Sequence, residues 1–343
     1  MSTLFEVSKF SSAGGSDWAR GSLANTVKLQ DNYFALSSIN IDLASAYDYC
    51  GRLARNHYEN FPVASWVLPR SMRPHIAAIY AFARTADDFA DEGTADPDER
   101  VRRLDAWRYC LERSLSSRGL EGLVSTNSMF DDMVGKSVDY RALFLALAHT
   151  IKVCQLPVVL FEDLLSAFRQ DVLVHRYRNW DQLLDYCRRS ANPVGRLMLR
   201  VAGYTDPNLE QTADCLCTAL QLTNFWQDLE RDHAVGRVYV PFDEQAACGA
   251  HEDDLAKGRL TPAWRKTLRR VGGRTRALFN KGRPVCDGVR GRLAIELRMT
   301  WFGGVRILDR LEEIEFDVFA ERPTLGVRDG MFLLWKTLTW RRG

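Results

Sequence analysis

Residues 80–92 read Tyr80-Ala-Phe-Ala-Arg-Thr-Ala-Asp-Asp-Phe-Ala-Asp-Glu92, and this stretch decides the fold. It contains no glycine or proline, and its alanine and phenylalanine residues favour a helix with one apolar face. On such a helix Asp87 and Asp91 lie one turn apart on the same face, with Arg84 one turn before Asp87. Like charges at this spacing destabilise an exposed helix by only about 0.2–0.5 kcal/mol, but inside a pocket they need a counter-ion. A solvated acidic helix end explains a lone pair of this kind as well, so it needs independent support.

A second oxygen-rich segment lies far downstream and reads Gln221-Leu-Thr-Asn-Phe-Trp-Gln-Asp-Leu-Glu-Arg-Asp232. Asn224, Asp228 and Asp232 recur every four residues, which predicts a stripe of oxygen atoms along one helix face. Two facing helices of this kind would form a cage for two or three cations and a diphosphate. Hard oxygen ligands without histidine or cysteine suit Mg²⁺. The predicted metal ligands are Asp87, Asp91, Asn224, Asp228 and Asp232.

Length and periodicity predict an all-α protein. The chain has 343 residues, 46% of them apolar, which is enough to bury a large core. Strict alternation of apolar and polar residues is rare, and no hairpin dipeptide is flanked by β-branched runs. No run approaches 18 apolar residues, so we expect no segment that spans a bilayer. We predict a single-domain helical bundle whose central active-site cavity is lined by side chains from facing helices.

Charge and cysteine content exclude several classes of protein. The formal net charge of +2 gives no electrostatic reason to bind nucleic acid, and no nucleic-acid-binding motif is present, so we expect no nucleic-acid partner. The eight cysteines are scattered, and only Cys215 and Cys217 are close together. We therefore expect free, buried thiols in the reducing cytoplasm rather than disulfides or a metal site.

The periodicity divides the chain into three parts. Residues 1–40 are rich in serine, glycine and asparagine and lack a signal-peptide pattern, so we predict a partly disordered leader. The main domain is predicted to cover residues 41–324, and residues 325–343 form an amphipathic C-terminal tail. The tail places Trp335 beside Lys336, a combination that suits the membrane–water interface. We expect a cytoplasmic protein with peripheral contact to the inner face of the membrane, although the tail could instead pack back on the bundle.

Three segments together resemble the squalene/phytoene synthase family, an all-α family of isoprenoid enzymes. The segments are Tyr49–Glu92, Asp185–Gly195 and Gln221–Pro241. Within this family, Asn224-Phe-Trp-Gln-Asp228 and His57-Tyr-Glu-Asn-Phe-Pro-Val63 are similar to the bacterial hydroxysqualene synthases of hopanoid biosynthesis. The resemblance covers residues 43–324, and it implies an isoprenoid-synthase helical bundle that acts on a prenyl diphosphate.

The resemblance also implies roles for individual residues. In the family, residues at the positions of His57–Asn60 contact the prenyl diphosphate, although ordinary hydrogen bonds at a helix end would explain them equally well. Arg237 matches a flap that closes over the diphosphate, and Tyr186 belongs to an element that lines the reaction channel. The implied substrate-binding residues are His57, Tyr58, Glu59, Asn60, Tyr80, Arg84, Gln221, Gln227 and Arg237. The implied catalytic residues are Asp87, Asp91, Asp228 and Tyr186.

Two positions separate branches of the family. Relatives that condense two prenyl diphosphates head to head commonly carry arginine where this chain has the neutral Gln227. They have glycine and a small residue where this chain has Asn192-Pro193. A proline inside a helix kinks it and frees a carbonyl that could position water, although a kink with only a packing role is an equally good interpretation.

The resemblance therefore implies a carbon–oxygen lyase. Magnesium-dependent ionisation of presqualene diphosphate, rearrangement of the cation and capture by water would give hydroxysqualene and diphosphate. One alternative is a head-to-head synthase that makes presqualene diphosphate, squalene or a carotenoid precursor. Another is a non-catalytic, membrane-associated assembly factor of the same fold, although such relatives lose the acidic ligands that this chain retains. The sequence leaves open whether the protein is a monomer or a homodimer.

Overall fold

The computed structural model describes residues 42–56, 67–91, 93–116 and 138–341. Within these ranges every secondary-structure element is a helix, apart from an isolated parallel β-bridge between Arg176 and Val238. The all-α prediction is thereby confirmed. The predicted leader, His57–Asn60 and Glu92 lie outside the described residues.

Fifteen α-helices follow one another along the described chain. The first eight are α1 (Leu43–Asn56), α2 (Arg73–Asp91), α3 (Pro97–Ser114), α4 (Tyr140–Val153), α5 (Val159–Leu173), α6 (Trp180–Ser190), α7 (Asn192–Val201) and α8 (Pro207–Gln227). The remaining seven are α9 (Leu229–Ala234), α10 (Phe242–Cys248), α11 (Glu252–Leu255), α12 (Pro262–Gly282), α13 (Val285–Gly288), α14 (Gly291–Glu313) and α15 (Val327–Leu338).

Polar caps fix where several of these helices begin. The Asp42 carboxylate accepts the backbone N–H of Ser45 at 2.9 Å at the start of α1. Asp96 caps α3 in the same way, and Pro97 takes the first helical position, where its missing N–H costs no hydrogen bond. Both helix starts are thus set by side chains that are close to them in the sequence.

Helix α8 lies at the centre of the C-terminal half, and glycines let its neighbours approach closely. A Cβ atom on Gly282 of α12 would lie 2.6 Å from the backbone nitrogen of Leu216 on α8. A Cβ atom on Gly304 of α14 would lie 2.5 Å from Leu220 Cδ2 and 2.7 Å from Phe279 Cζ. A larger residue at Gly282 would push the two backbones apart, and one at Gly304 would require the Leu220 and Phe279 side chains to move.

Helix α2 lies at the centre of the N-terminal half. The ring of Phe82 is 6.0 Å from that of Trp107, 6.1 Å from Phe144 and 5.5 Å from Phe161, measured between centroids. These rings lie in the core, where aromatic packing holds α2 against α3, α4 and α5. The face of α2 that carries Asp87 and Asp91 is fixed by this packing.

Three helices end at identifiable interruptions. The segment around Pro193 contains two helices, α6 and α7, so the proline stands in the first turn of α7 and not inside a continuous helix. The acidic helix is interrupted at Asp228. Helix α14 ends at Glu313 because Glu315 and Phe316 adopt left-handed backbone angles, φ 55° and 62°, which turn the chain and bury the Phe316 ring.

The C-terminal helix α15 packs on α14 through one face. Leu333 is buried there, and the Asp329 carboxylate accepts two hydrogen bonds of 2.9 Å from Arg310. Just beyond the helix, Trp340 donates its ring N–H to Asp287 at 2.7 Å. No helix in the described ranges is long and apolar enough to cross a membrane. All eight cysteines lie in the described ranges and are free, but only Cys50, Cys110, Cys187 and Cys286 are buried; the other four are partly exposed, so the prediction of buried thiols holds for half of them.

Candidate active site

The first acidic pair lies in the last turns of α2. Asp87 is buried, and Asp91 follows it one turn later. The Arg84 guanidinium lies 2.5 Å from a carboxylate oxygen of Asp88 and 3.7 Å from one of Asp87. Tyr80, two turns before Asp87, is buried, and burial raises the pKa of its hydroxyl to about 12. The phenol therefore keeps its proton at neutral pH.

The second set lies where α8 gives way to α9. Asn224 donates its side-chain N–H to Asp228 at 2.8 Å. The backbone N–H of Asp228 bonds the Asn224 carbonyl, and that of Asp232 bonds the Asp228 carbonyl, both at 2.8 Å. These bonds keep the four-residue spacing through the interruption, so the three side chains still follow one stripe.

Arg237 joins the two acidic sets. Its guanidinium donates to the Asp91 carboxylate at 2.6 Å and to the backbone carbonyl of Asp171 at 3.4 Å. Arg237 lies five residues after Asp232, and its backbone N–H bonds the Asp232 carbonyl at 2.7 Å. The structure thus brings α2, α5 and the segment after α9 together around one arginine.

The carboxylates are crowded enough to shift one another's pKa. Burial and the nearby charge of Asp228 raise the pKa of Asp232 to about 7, with Asp91 adding to the effect. Burial likewise raises the pKa of Asp171 to about 7, and the pKa of Asp87 is raised by burial and by Asp91. Although burial also acts to raise it, the pKa of Asp91 is lowered, and its hydrogen bond with Arg237 contributes to that. The pocket therefore holds more acidic groups than its environment readily ionises.

A cluster of buried aromatic rings lies next to Asp171. Tyr239 stacks on Phe225 with ring centroids 3.8 Å apart and planes 4° from parallel. Tyr186 lies beside both rings and donates its hydroxyl to Asp171 at 2.8 Å. Burial, followed by the charge of Asp171, raises the pKa of Tyr186 well above its ordinary value, so its hydroxyl remains a neutral donor.

Gln221 and Gln227 have different environments. Gln221, two turns before Asp228, is fully buried, and within the described structure neither its side-chain nitrogen nor its oxygen has a hydrogen-bond partner. A buried amide in this state is ready to bind a polar group that enters the pocket. Gln227 instead donates to the Pro323 carbonyl at 2.5 Å, so its amide holds the segment that follows α14.

Two residues outside the predicted set belong to the site. Arg322 donates to the Asp228 carboxylate at 2.6 Å, and both side chains are largely buried. Asp171 accepts a hydrogen bond from Arg237 at its backbone carbonyl and one from Tyr186 at its carboxylate. A helical repeat in the sequence cannot reveal either residue. Arg322 lies 94 residues from Asp228, and Asp171 lies on a different helix from its partners.

The donor set suits magnesium. Every predicted ligand in the described ranges offers carboxylate or amide oxygen, the chemistry that Mg²⁺ prefers. In the part of the chain that the structure covers, no three acidic, histidine or cysteine side chains already stand at metal-binding separations. Asp91 and Asp228 are held by Arg237 and Arg322 instead. Added cations would neutralise these carboxylates, among which burial raises the pKa of Asp87, Asp171 and Asp232.

Comparisons with known proteins identify the family of this chain. The sequence profile of the squalene/phytoene synthase family matches residues 54–329. A hydroxysqualene synthase of Rhodopseudomonas palustris is 38% identical over 256 residues, covering 74% of this chain and 80% of the relative. Another, of Zymomonas mobilis, is 35% identical over 272 residues, covering 79% of this chain and 82% of the relative. The crystal structure of a squalene synthase from Alicyclobacillus acidocaldarius superposes with a TM-score of 0.70 at 37% identity, covering 80% of this chain and 95% of that one. The chain belongs to the squalene/phytoene synthase family.

Proposed function

We propose that this protein ionises presqualene diphosphate and captures the rearranged cation with water, giving hydroxysqualene and diphosphate. The observation that carries the proposal is the cluster of acidic side chains that Arg237 and Arg322 bind, with stacked aromatic rings beside Asp171. It occurs in a chain that is 35–38% identical to three proteins named hydroxysqualene synthase. In the reaction the carbon–oxygen bond to diphosphate breaks, water forms a new carbon–oxygen bond, and the released proton passes to solvent or diphosphate.

Departure of diphosphate needs positive charge near its oxygens. Asp87, Asp91, Asn224, Asp228 and Asp232 would hold Mg²⁺, which would supply most of that charge when bound. Arg237 and Arg322 add fixed charge that does not depend on pH, because a guanidinium stays protonated. The buried amide of Gln221 would donate to the same polar group.

The cation left behind needs a dry and unreactive surface. The rings of Phe225, Tyr239 and Tyr186 would supply such a surface, since the electron-rich face of an aromatic ring attracts a cation. Because the pKa values of Tyr186 and Tyr239 are raised, chiefly by burial, neither phenol becomes an anion that could trap the cation. Water would then be the nucleophile.

A squalene-forming reaction is the second candidate. It is favoured by the 37% identity to the Alicyclobacillus protein, whose structure is described as a squalene synthase. A head-to-head synthase would instead use two simple prenyl diphosphates and form presqualene diphosphate, squalene or a carotenoid precursor. The neutral Gln227, engaged with the Pro323 carbonyl, supplies no charge for a second diphosphate.

One incubation separates these functions. Presqualene diphosphate and Mg²⁺ are supplied in ¹⁸O-labelled water, with and without NADPH, and the products are analysed by mass spectrometry. We expect labelled hydroxysqualene in both reactions. Unlabelled alcohol, or squalene that appears only with NADPH, would contradict the proposal. Turnover of farnesyl or geranylgeranyl diphosphate in place of presqualene diphosphate would favour a head-to-head synthase.

A further inference from the structure

The C-terminal helix α15 is apolar on both of its faces. Its inner face buries Leu333 against the bundle. Its outer face carries an exposed stripe, here called the outer stripe, whose members are spaced by three, four and seven residues and so lie side by side. The outer stripe consists of Met331, Leu334, Trp335 and Leu338, which are 63%, 47%, 57% and 72% exposed. A surface helix normally presents polar residues on this side.

The charges around the outer stripe are positive. Arg328 and Arg341 are exposed, and the Lys336 ammonium lies 5.4 Å from the centre of the Trp335 ring and 5.5 Å from that of Phe332. The single acidic residue in 327–341 is Asp329, which faces inward and is bound by Arg310. No carboxylate of this segment therefore repels an anionic surface that approaches the outer stripe.

The helix is also held firmly enough to present the outer stripe. Arg310 and Asp329 fix its first turn, and Trp340 is fixed beyond its last turn by Asp287 and by the Arg283 guanidinium, 4.3 Å from the ring centre. Trp340 also meets the rings of Trp301 and Phe302 edge-on. The inward anchors use different residues from the outer stripe, so the outer stripe is not needed to keep the helix in place.

We propose that α15 docks the protein on an anionic lipid bilayer, with the outer stripe at the depth of the headgroups and the basic residues on the lipid phosphates. Tryptophan and leucine beside lysine and arginine are the combination that interfacial helices use. A second copy of the chain fits less well. One stripe on a helix about 18 Å long offers on the order of 300–400 Å², against about 800 Å² per partner in a stable dimer.

Vesicle co-sedimentation of the full chain, without substrate, tests this proposal. The vesicles contain phosphatidylcholine alone or with about one-third phosphatidylglycerol, whose surface charge attracts basic segments. We expect the wild type to bind the anionic vesicles, and we expect Trp335→Ser/Leu338→Ser to lower the partition coefficient about tenfold or more. Lys336→Glu should weaken binding to anionic vesicles and leave any binding to neutral ones unchanged.

A matched control is Val153→Ser/Val159→Ser, which removes two residues of similar exposure, 56% and 54%, from α4 and α5. It should bind vesicles like the wild type. Circular dichroism and turnover of detergent-solubilised substrate should be unchanged in the Trp335/Leu338 variant, because neither residue touches the acidic pocket. Since vesicle binding needs no substrate, its outcome is independent of the reaction proposed above.

Three results would overturn the proposal. The first is a wild type that does not sediment with anionic vesicles, or a Trp335/Leu338 variant that binds as well as the wild type. The second is equal binding to neutral and anionic vesicles. The third is a wild type that forms a dimer in light scattering and does not bind vesicles, together with a Trp335/Leu338 variant that is monomeric. The outer stripe would then bind a second copy of the chain.

Discussion

Asp87 and Asp91 are one helical turn apart, yet their surroundings act on them in opposite directions. The pKa of Asp87 is raised by burial and by the charge of Asp91. The pKa of Asp91 is lowered despite its burial, with the hydrogen bond from Arg237 contributing. A raised pKa means that the ionised carboxylate is less stable in the folded protein than in the unfolded chain, and a lowered pKa means the reverse. The two residues therefore differ in their effect on stability even if they share one function.

Replacing each carboxylate by its amide should separate function from stability. We expect Asp87→Asn and Asp91→Asn each to lower turnover by about 10²–10³-fold, because each removes charge that would hold Mg²⁺. In metal-free protein, Asp87→Asn should leave the free energy of unfolding unchanged or raise it. Asp91→Asn should lower it by about 1–3 kcal/mol, since Arg237 loses a charged hydrogen-bond partner. Steady-state kinetics and urea denaturation measure the two effects.

The control for these variants is Asp105→Asn, an exposed carboxylate paired with Arg169 on the surface at 2.6 Å. We expect it to change neither turnover nor stability appreciably, as is usual for surface ion pairs. Near-normal turnover in both α2 variants would rule out their role as metal ligands. Equal destabilisation by both would show that Asp87 is ionised and paired in the folded protein.

The periodicity of the sequence could reveal the acidic residues but not the arginines that bind them. Four-residue spacing on a helix is a local property, so Asn224, Asp228 and Asp232 could be predicted to share one face. The partner of Asp228 is Arg322, which comes from a segment beyond α14. That pairing depends on how the whole chain packs, and no pattern within a few residues of either side chain indicates it.

At the scale of helices, starts were easier to predict than ends. The starts of α1 and α3 depend on Asp42, Asp96 and Pro97, whose chemistry is local. The break between α6 and α7 also involves a tertiary contact: Asn192 is buried and accepts a hydrogen bond of 2.9 Å from Thr218 on α8. Where distant residues bind the backbone or side chains of a helix, its own sequence does not indicate its end.

A polar junction joins helices α1, α2 and α4 outside the candidate active site. The hydroxyl of Tyr47 on α1 lies 2.9 Å from His149 Nδ1, 2.8 Å from Thr150 Oγ1 and 3.2 Å from His75 Nδ1. Burial, and then the positive charge of His149, lowers the pKa of His75. Burial, and then the charge of Lys152, lowers the pKa of His149. Both imidazoles, each partly exposed, therefore favour the neutral form where these three helices meet.

This junction should make the N-terminal helices sensitive to acid. A histidine with a lowered pKa in the folded state stabilises the fold above its unfolded pKa of about 6.5, and that stability is lost as the pH falls through the lowered value. We expect the free energy of unfolding to fall below about pH 6.5, by at most about 1.4 kcal/mol per pH unit for each extra proton bound by the unfolded chain. Urea denaturation at several pH values measures this.

A variant can isolate the junction from other titrating groups. His75→Asn keeps a polar group near the Tyr47 hydroxyl but cannot be protonated, so the loss of stability with acid should become smaller. His251→Gln, which changes an exposed histidine elsewhere, should leave the pH profile as in the wild type. An identical profile for His75→Asn and the wild type would show that the junction does not control acid stability.

Across the whole molecule, the two halves of the bundle meet at an excess of negative charge. The overall charge is nearly balanced at +2, so the excess is a property of the fold and not of the composition. Helices α2 and α5 contribute Asp87, Asp91 and Asp171 from one half, and α8 and α9 contribute Asp228 and Asp232 from the other. In the structure Arg237 and Arg322 are the guanidinium groups seen to bind Asp91 and Asp228. We therefore expect a divalent cation that binds between the halves to stabilise the folded state.

The stabilising effect of Mg²⁺ should grow with pH. Asp171 and Asp232 have pKa values raised to about 7, chiefly by burial, so in metal-free protein their contribution to stability is present below the unfolded pKa of 3.8 and lost as the pH rises through about 7. At about pH 8 both are ionised and Mg²⁺ relieves their repulsion, whereas at about pH 5.5 protons compete with the metal. We expect millimolar Mg²⁺ to raise Tm more at the higher pH, and K⁺ of equal ionic strength to have no such effect, which separates binding from screening.

Asp232→Asn should raise Tm in metal-free protein at about pH 8 and reduce the Mg²⁺ shift, because it removes one of the two ionising groups and a predicted ligand together. A Mg²⁺ shift of the same size at both pH values, or one that K⁺ reproduces, would mean that these carboxylates do not bind the metal.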